Sequence, residues 1–425
     1  MTINFVCHGC GTVVDAATSL PFRCPAARPD DNIDHLLLPQ DAADKFPSGK
    51  EENPYIRYRE LLSPYRLARS VGLSDEAWTE IVSKLDEALV QANGVGFRIT
   101  PMSEQAKLAQ AAGLSSKLWV KNETRNVAGS HKARHLMGVM LYLRVLQAAK
   151  LPAGEGLTER RLAIASCGNA ALAAAVIARA ANWPLSVFIP PDASANVIRR
   201  LKDLGADICV CERRAGEAGD PCFLRFLEAV NGGAIPFGVQ GTENGLAIEG
   251  GRTIAFEMAE VIGQRQIDAI FVQIGGGALA SGIAQGFAMA NKLGVLAHLP
   301  RMVTVQTQSC APLNRAWERL GNLSFEEAAR QRKNFMWPWE TAPHSIAHGI
   351  LDDETYDWFE IAKGMRNSGG YPVIVGEDTL KRAHELGNRE TSIVVSATGT
   401  SGFAGLLAST ADYKEVCVIF SGFEQ

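Results

Sequence analysis

Residues 272–287 read "VQIGGGALASGIAQGF": an apolar run, three glycines (Gly275, Gly276, Gly277), then alanines and small aliphatics. This is the pattern of a strand, a tight turn and a helix. Glycines let the backbone fold sharply, so several N–H groups converge beside a helix N-terminus and cradle an anion, most often phosphate. A tight packing turn is the plainer alternative. The segment lacks the G-x-G-x-x-G spacing of a dinucleotide fold and the Gly-Lys-Ser/Thr of a nucleoside triphosphate loop. A phosphate-bearing cofactor fits it better than NAD or ATP.

The same order recurs along the chain from about residue 55. Strand-like runs are "KLWVKNE", "RLAIASCGN", "PLSVFIPP", "DICVCE", "AIFVQIGGG", "MVTVQTQ", "SIVVSATG" and "EVCVIFSG", with helical patterns between them. One such pattern, "LSDEAWTEIVSKLDEALVQA", starts with Ser74 as N-cap. Strands alternating with helices predict an α/β fold with mostly parallel sheets and right-handed crossovers. The polar residues cluster just after the strands, at the edge where open α/β sheets bind ligands.

The composition bounds the function. A chain of 425 residues, 47% apolar and 21% charged, is long enough for two or three domains. A net charge of −4 gives no reason to expect a nucleic-acid partner. No apolar run approaches the roughly 18 residues of a membrane span. "MTINFVCHGCG" lacks the basic-then-apolar order of a secretory signal. The nine cysteines are scattered and read as reduced thiols, which predicts the cytoplasm.

Residues 1–52 form a distinct, polar segment. Cys7 and Cys10 make a CxxC knuckle, followed by Cys24. Structural zinc needs four ligands. These make three, with His35 or His8 as candidates for the fourth. A metal-free turn is the alternative.

Two further segments carry chemistry. In "IASCGNAALAAAVIARAA" (164–181), Ser166, Cys167, Gly168 and Asn169 occupy a strand-to-helix turn. Its N–H groups and the Ser166 hydroxyl suit a carboxylate, and the Asn169 amide suits a phenolate-like oxygen. Plain helix capping by Ser166 or Asn169 is the alternative. In "VKNETRNVAGSHKARHLMGVML" (120–141), Lys132 follows Ala128, Gly129 and Ser130 at a helix start. Most lysines are solvated surface charges. One enclosed among small residues loses hydration, and its pKa falls toward the reactive amine of a Schiff-base lysine. Phosphate cradle, carboxylate turn and reactive lysine together suit pyridoxal phosphate acting on an amino acid.

The three segments resemble, in order, the motifs of fold-type II pyridoxal-phosphate enzymes, the group of threonine synthase, serine/threonine dehydratase, cysteine synthase and the tryptophan synthase β subunit. "NVAGSHKAR" resembles their N-x-(T/A)-G-S-(F/H)-K-x-R segment, which implies Lys132 as the cofactor-bonding lysine and Ser130 on the substrate side. "SCGN" resembles S-x-G-N, implying that Ser166, Cys167 and Gly168 hold the substrate carboxylate and Asn169 the cofactor's O3′. "GGGAL" resembles the phosphate loop GGGGL and implies phosphate binding by Gly275, Gly276, Gly277, Ala278 and Leu279. Ala278 replaces the fourth glycine, which is tolerable where its φ is negative. The resemblance covers about residues 55–425.

It also implies finer roles. Ser421, at the end of "CVIFSG", takes the position facing the pyridine nitrogen. In "HSIAHGI", His348 holds the variable polar position that faces the substrate; a structural histidine is the alternative. "SATGTSGFAGLLA" departs from the relatives' E-P-(A/S)-(G/S)-A, leaving Thr400 and Ser401 unassigned beside a plain capped helix. Arg134 is placed to pair with a substrate phosphate or a protein carboxylate, and beyond it only Arg125 offers a nearby cation.

The expectation is a two-domain, tryptophan synthase β-like α/β fold. Residues 53–132 and 241–425 form the larger cofactor domain, and residues 133–240 a smaller mobile domain carrying the carboxylate turn. The expected activity is a pyridoxal-phosphate-dependent lyase, threonine-synthase-like, with a serine/threonine-type dehydratase or ammonia-lyase as alternative. A homodimer is implied by the resemblance. The contrasting readings are a non-catalytic ligand sensor on the same fold and a zinc-mediated scaffold.

Overall fold

The computed structural model describes every residue except Met1, Pro29, Ala42, Ala218, Gln264, Glu424 and Gln425. Its described strands form three sheets. β1 (Asn4–Cys7), β2 (Val13–Asp15) and β3 (Leu37–Pro39) make a small antiparallel sheet in the order β2-β1-β3. β4 (Met102–Glu104), β5 (Lys117–Asn122), β10 (Ala269–Gln273), β11 (Arg301–Thr307), β12 (Pro372–Val375) and β13 (Glu415–Phe420) form the second, ordered β12-β11-β10-β13-β5-β4. Only the edge strand β4 runs antiparallel there. The third, ordered β8-β7-β6-β9, is parallel throughout and contains β6 (Leu162–Ala165), β7 (Leu185–Ile189), β8 (Asp207–Val210) and β9 (Ile235–Pro236).

The central strands of the six-stranded sheet follow from their sequence. β10 is buried at every position and β13 at all but its first, as expected of apolar runs covered on both faces. Helices Lys132–Ala148, Leu246–Ile262 and Ala278–Lys292 pack in series, and small residues let the first two approach closely. A Cβ added at Gly138 would lie 2.9 Å from the Gly250 Cα. Ser74 caps helix Asp75–Asn93 as expected, its Oγ accepting from the Ala77 N–H at 3.1 Å.

One expected strand is absent. Residues 392–395 of "SIVVSATG" pair in no sheet. The Asn388 side chain accepts from the Val395 N–H and donates to its carbonyl, taking the backbone groups a neighbouring strand would need. The chain then enters helix Ala397–Ala408, capped by Ser396. Among the described residues, no helix is long and apolar enough to cross a membrane.

Candidate active site

Lys132 is held by the meeting of two strand ends. β5 delivers the turn 123–131, and β13 delivers Ser421 and Gly422 beside it. Ser130 pairs with Gly422, the His131 N–H donates to the Ser421 carbonyl at 3.0 Å, and the Phe423 N–H donates to the Gly129 carbonyl at 3.0 Å. Ala128 (φ 54°) and Gly129 (φ 69°) turn through left-handed conformations just before. Gly129 has a second constraint, since an added Cβ would sit 1.7 Å from the Phe423 ring. Lys132 then opens helix Lys132–Ala148.

Lys132 faces a cavity of about 370 Å³. The turn containing Ser166, Cys167, Gly168 and Asn169 lines the same space, as does His348. Burial lowers the Lys132 pKa from its ordinary value, partly offset by Asp352 and Asp357. The turn leads into helix Asn169–Ala180, whose N-cap is Gly168, a residue with no side chain to cap it. The Ser166 Oγ accepts the Gly168 N–H at 3.4 Å, so the capping alternative stands beside the anion reading, for which the helix's first N–H groups are suited. A Cβ added at Gly422 would lie 2.9 Å from the Ser130 Cβ and 3.0 Å from Asn169 Nδ2, so Ser130, Asn169 and the end of β13 meet at one point.

The glycine turn 275–277 follows β10 and precedes helix Ala278–Lys292. Gly277 needs its glycine, with φ at 103°. Ala278 and Leu279 lie in the first helical turn, and Ala278 is not among the residues with positive φ. The Gly276 N–H donates to Asp352 Oδ2 at 2.9 Å. The turn does not itself line the cavity, because Asp352 and Tyr356 cover it: Cβ atoms added at Gly275 and Gly276 would meet these two side chains at 2.2 and 2.9 Å. Burial raises the Asp352 pKa, although nearby Lys132 lowers it.

The remaining expected residues divide. The Ser421 hydroxyl accepts from Gln273 Nε2 at 2.7 Å. Thr400 and Ser401 are buried inside helix Ala397–Ala408, with their hydroxyls bonded to carbonyls of its first turn, as a plain capped helix requires. Arg134 is fully buried between Glu123 and Glu257, which it meets at 2.8 and 2.5 Å. Lys121 also reaches Glu257. Arg134 is thus paired with protein carboxylates, and Arg125 is exposed outside the cavity.

Sequence reasoning missed several groups. His131 and His135 flank Lys132, and both are buried with pKa values lowered by burial, His135 to about 3. Being neutral, each donates through Nδ1 to a carbonyl, His131 to Ser421 and His135 to Ala247. The acidic lining of Asp220, Asp352 and Asp353 also went unread. The dense run "LDDETYDW" (351–358) was the local signal for Asp352 and Asp353.

Residues 95–422 match the family described as pyridoxal-phosphate dependent enzyme. The chain belongs to this family. It is 29% identical over 220 residues to a mouse serine dehydratase-like protein, covering 52% of this chain and 59% of that one. It is 24% identical over 315 residues to threonine synthase from Methanocaldococcus jannaschii, covering 72% and 68%. The match thus spans less than two thirds of the mouse protein. Among solved structures, tomato threonine deaminase isoform 2 superposes with a TM-score of 0.60 at 17% identity, covering 83% of this chain and 91% of that one. Maize serine racemase gives 0.58 at 19%, covering 80% and 92%. These likenesses show the fold.

The residues present fit the family's cofactor. Ser130 Oγ and His131 Nε2, just before Lys132, are buried polar atoms without a hydrogen-bond partner among the described residues. The glycine turn presents an N–H to a carboxylate oxygen, the kind of anionic atom a phosphate also offers.

Proposed function

We propose that this chain is a pyridoxal-phosphate-dependent lyase that acts on an amino acid by β- or γ-elimination or replacement. The observation that carries the reading is the single cavity shared by Lys132 and the turn 166–169. When bound, the cofactor supplies an electron sink for the carbanion formed at the substrate Cα. Lys132 is the residue we assign to bond with it, and its amine, whose pKa burial lowers toward the neutral form, is the base that takes the α-proton. The N–H groups of the turn and the Ser166 hydroxyl orient the substrate carboxylate, with Cys167 and Gly168 beside it. Asn169, Ser421 and the turn from Gly275 to Leu279 hold the cofactor's polar edges and phosphate, and Ser130 and His348 face the substrate.

Two substrate classes stand behind this reading, a threonine-synthase-like reaction and a serine/threonine-type dehydratase or ammonia-lyase. One observation favours the second. Among the described residues lining the cavity, Lys132 is the only Lys or Arg, whereas Asp220, Asp352 and Asp353 are acidic. A phosphorylated substrate would meet three carboxylates and no free guanidinium. The test is release of ammonia and a 2-oxo acid from serine or threonine, against release of phosphate from a phosphorylated amino acid. Neither product, from protein loaded with cofactor, would leave the ligand-sensor reading.

The division into residues 53–132 with 241–425 and residues 133–240 belongs to the same proposal, supported by the separate six- and four-stranded sheets. So do a homodimer and a cytoplasmic location, the latter supported by nine free cysteines. We also propose that Cys7, Cys10 and Cys24 hold a metal ion apart from the reaction centre.

A further inference from the structure

The strands Asn4–Cys7, Val13–Asp15 and Leu37–Pro39 pack as a small sheet, too little to bury a core of its own. It nevertheless brings four potential ligands from four points of the chain to one place. Cys7 ends β1, Cys10 sits in the following turn, and Cys24 and His35 arrive from the loop between β2 and β3. One ligand atom from each lies within 4.8 Å of the other three. Cys7 Sγ and His35 Nδ1 are 3.4 Å apart, and Cys10 Sγ and Cys24 Sγ are 3.6 Å apart. A tetrahedral zinc ion with its usual bond lengths sets neighbouring ligand atoms roughly 3.8 Å apart. The four atoms therefore already stand close to the corners of such a site.

We infer that Cys7, Cys10, Cys24 and His35 form a closed, structural zinc site with His35 as the fourth ligand. This rests on the metal reading of the three cysteines given above. His35 donates through Nε2 to Asp31 Oδ2 at 3.0 Å, which leaves Nδ1 as the lone-pair atom facing Cys7. That is the carboxylate–histidine–metal arrangement by which a second shell fixes the ring. His8, the other candidate, is committed elsewhere. Its two nitrogens meet Asp34 at 3.4 Å and Glu360 at 3.2 Å, and its ring packs on Phe359 at 4.1 Å.

The site has a structural task. The ligand-bearing loop docks on the catalytic lobe: the Asp34 N–H donates to the Ala329 carbonyl at 2.7 Å, and the Arg332 N–H donates to the Asn32 carbonyl at 3.0 Å. Arg332 in turn pairs with Glu354, on the segment that covers the glycine turn. Four protein ligands leave no open position, so the ion braces this dock and takes no part in the reaction.

The experiment is metal analysis of the full-length holoprotein, purified without chelator after growth with added zinc, alongside cobalt substitution. The inference expects one zinc per chain and the visible d–d bands of tetrahedral, thiolate-ligated cobalt. His35→Ala gives a substoichiometric content, His35→Cys restores it, Asp31→Asn weakens zinc affinity by on the order of tenfold, and His8→Ala keeps the full equivalent. Should a ligand variant fail to fold, the cobalt spectrum of the wild-type chain still decides whether the geometry is tetrahedral. Zinc well below one per chain in the wild type, with no cobalt bands, overturns the metal reading altogether. A full equivalent that survives in His35→Ala but is lost in His8→Ala overturns only the assignment of His35.

Discussion

Asp352 Oδ2 accepts the Gly276 N–H at 2.9 Å, so a carboxylate stands in the anion cradle that follows β10. A phosphate binding at the same turn meets a like charge there, while Asp352 also faces Lys132, Asp353 and Asp220. Removing that charge therefore favours the cofactor's phosphate.

For Asp352→Asn we expect the dissociation constant for pyridoxal phosphate to fall about fivefold, corresponding to about 1 kcal/mol at a helix start. Wild-type binding should also tighten as pH drops toward the raised pKa of Asp352, and the variant should lack that trend. Equilibrium dialysis against the free cofactor measures both, and weaker binding by the variant would show that Asp352 helps the phosphate.

Asp357 gives a prediction about stability. It is buried near Asp34, His8, Glu360 and Lys132, both carboxylate oxygens lack a hydrogen-bond partner among the described residues, and burial raises its pKa well above the ordinary value. A raised folded-state pKa means that its contribution is fully present below the unfolded value of about 3.9 and is lost as pH rises through the folded value. In Asp357→Asn that loss disappears. Relative to wild type, the variant should gain stability as pH rises, at most about 1.4 kcal/mol per pH unit. Denaturant melts across the pH range would show it, and a constant difference would exclude Asp357 as the source.

The buried cluster of Arg134, Glu123, Glu257 and Lys121 makes Arg134 a structural residue. Arg134→Met leaves two carboxylates inside the core with one remaining cation. We expect a loss of about 3–5 kcal/mol in stability, against little change for exposed Arg125→Ala. If Arg134→Met instead melts like wild type and loses only substrate affinity, the residue reads substrate.

What was legible in the sequence was local. Lys132, the turn 166–169 and the glycines at 275, 276 and 277 each announce themselves within a few residues, because a strand, a turn and a helix start are short-range events. Residues 392–395 were misread because a side chain, Asn388, occupies both backbone polar groups of Val395, and no periodicity encodes that. Asp352 and His131 escaped because their meaning comes from partners distant in sequence, Gly276 and Ser421. The pairing of Arg134 stayed open until Glu257, 123 positions away, was seen beside it.

Gly129 tests the placement of Lys132 directly. In Gly129→Ala the new methyl meets the Phe423 ring and the residue keeps a left-handed φ. A cost of about 1–3 kcal/mol is expected from strain of this kind. Cofactor affinity should fall with it, because the same turn aims the lysine. Calorimetry and cofactor titration should move together; a destabilised variant with unchanged affinity would separate the turn from the site.

The proposed function requires that Lys132 bond with the cofactor. The most direct measurement is the visible spectrum of the purified protein before and after borohydride, with peptide mass mapping of the reduced sample. We predict a visible band that borohydride removes, and a phosphopyridoxyl mass on the peptide containing Lys132. The Lys132→Ala variant should show neither. A band with the label on a different lysine, or no band after added pyridoxal phosphate, would contradict the account.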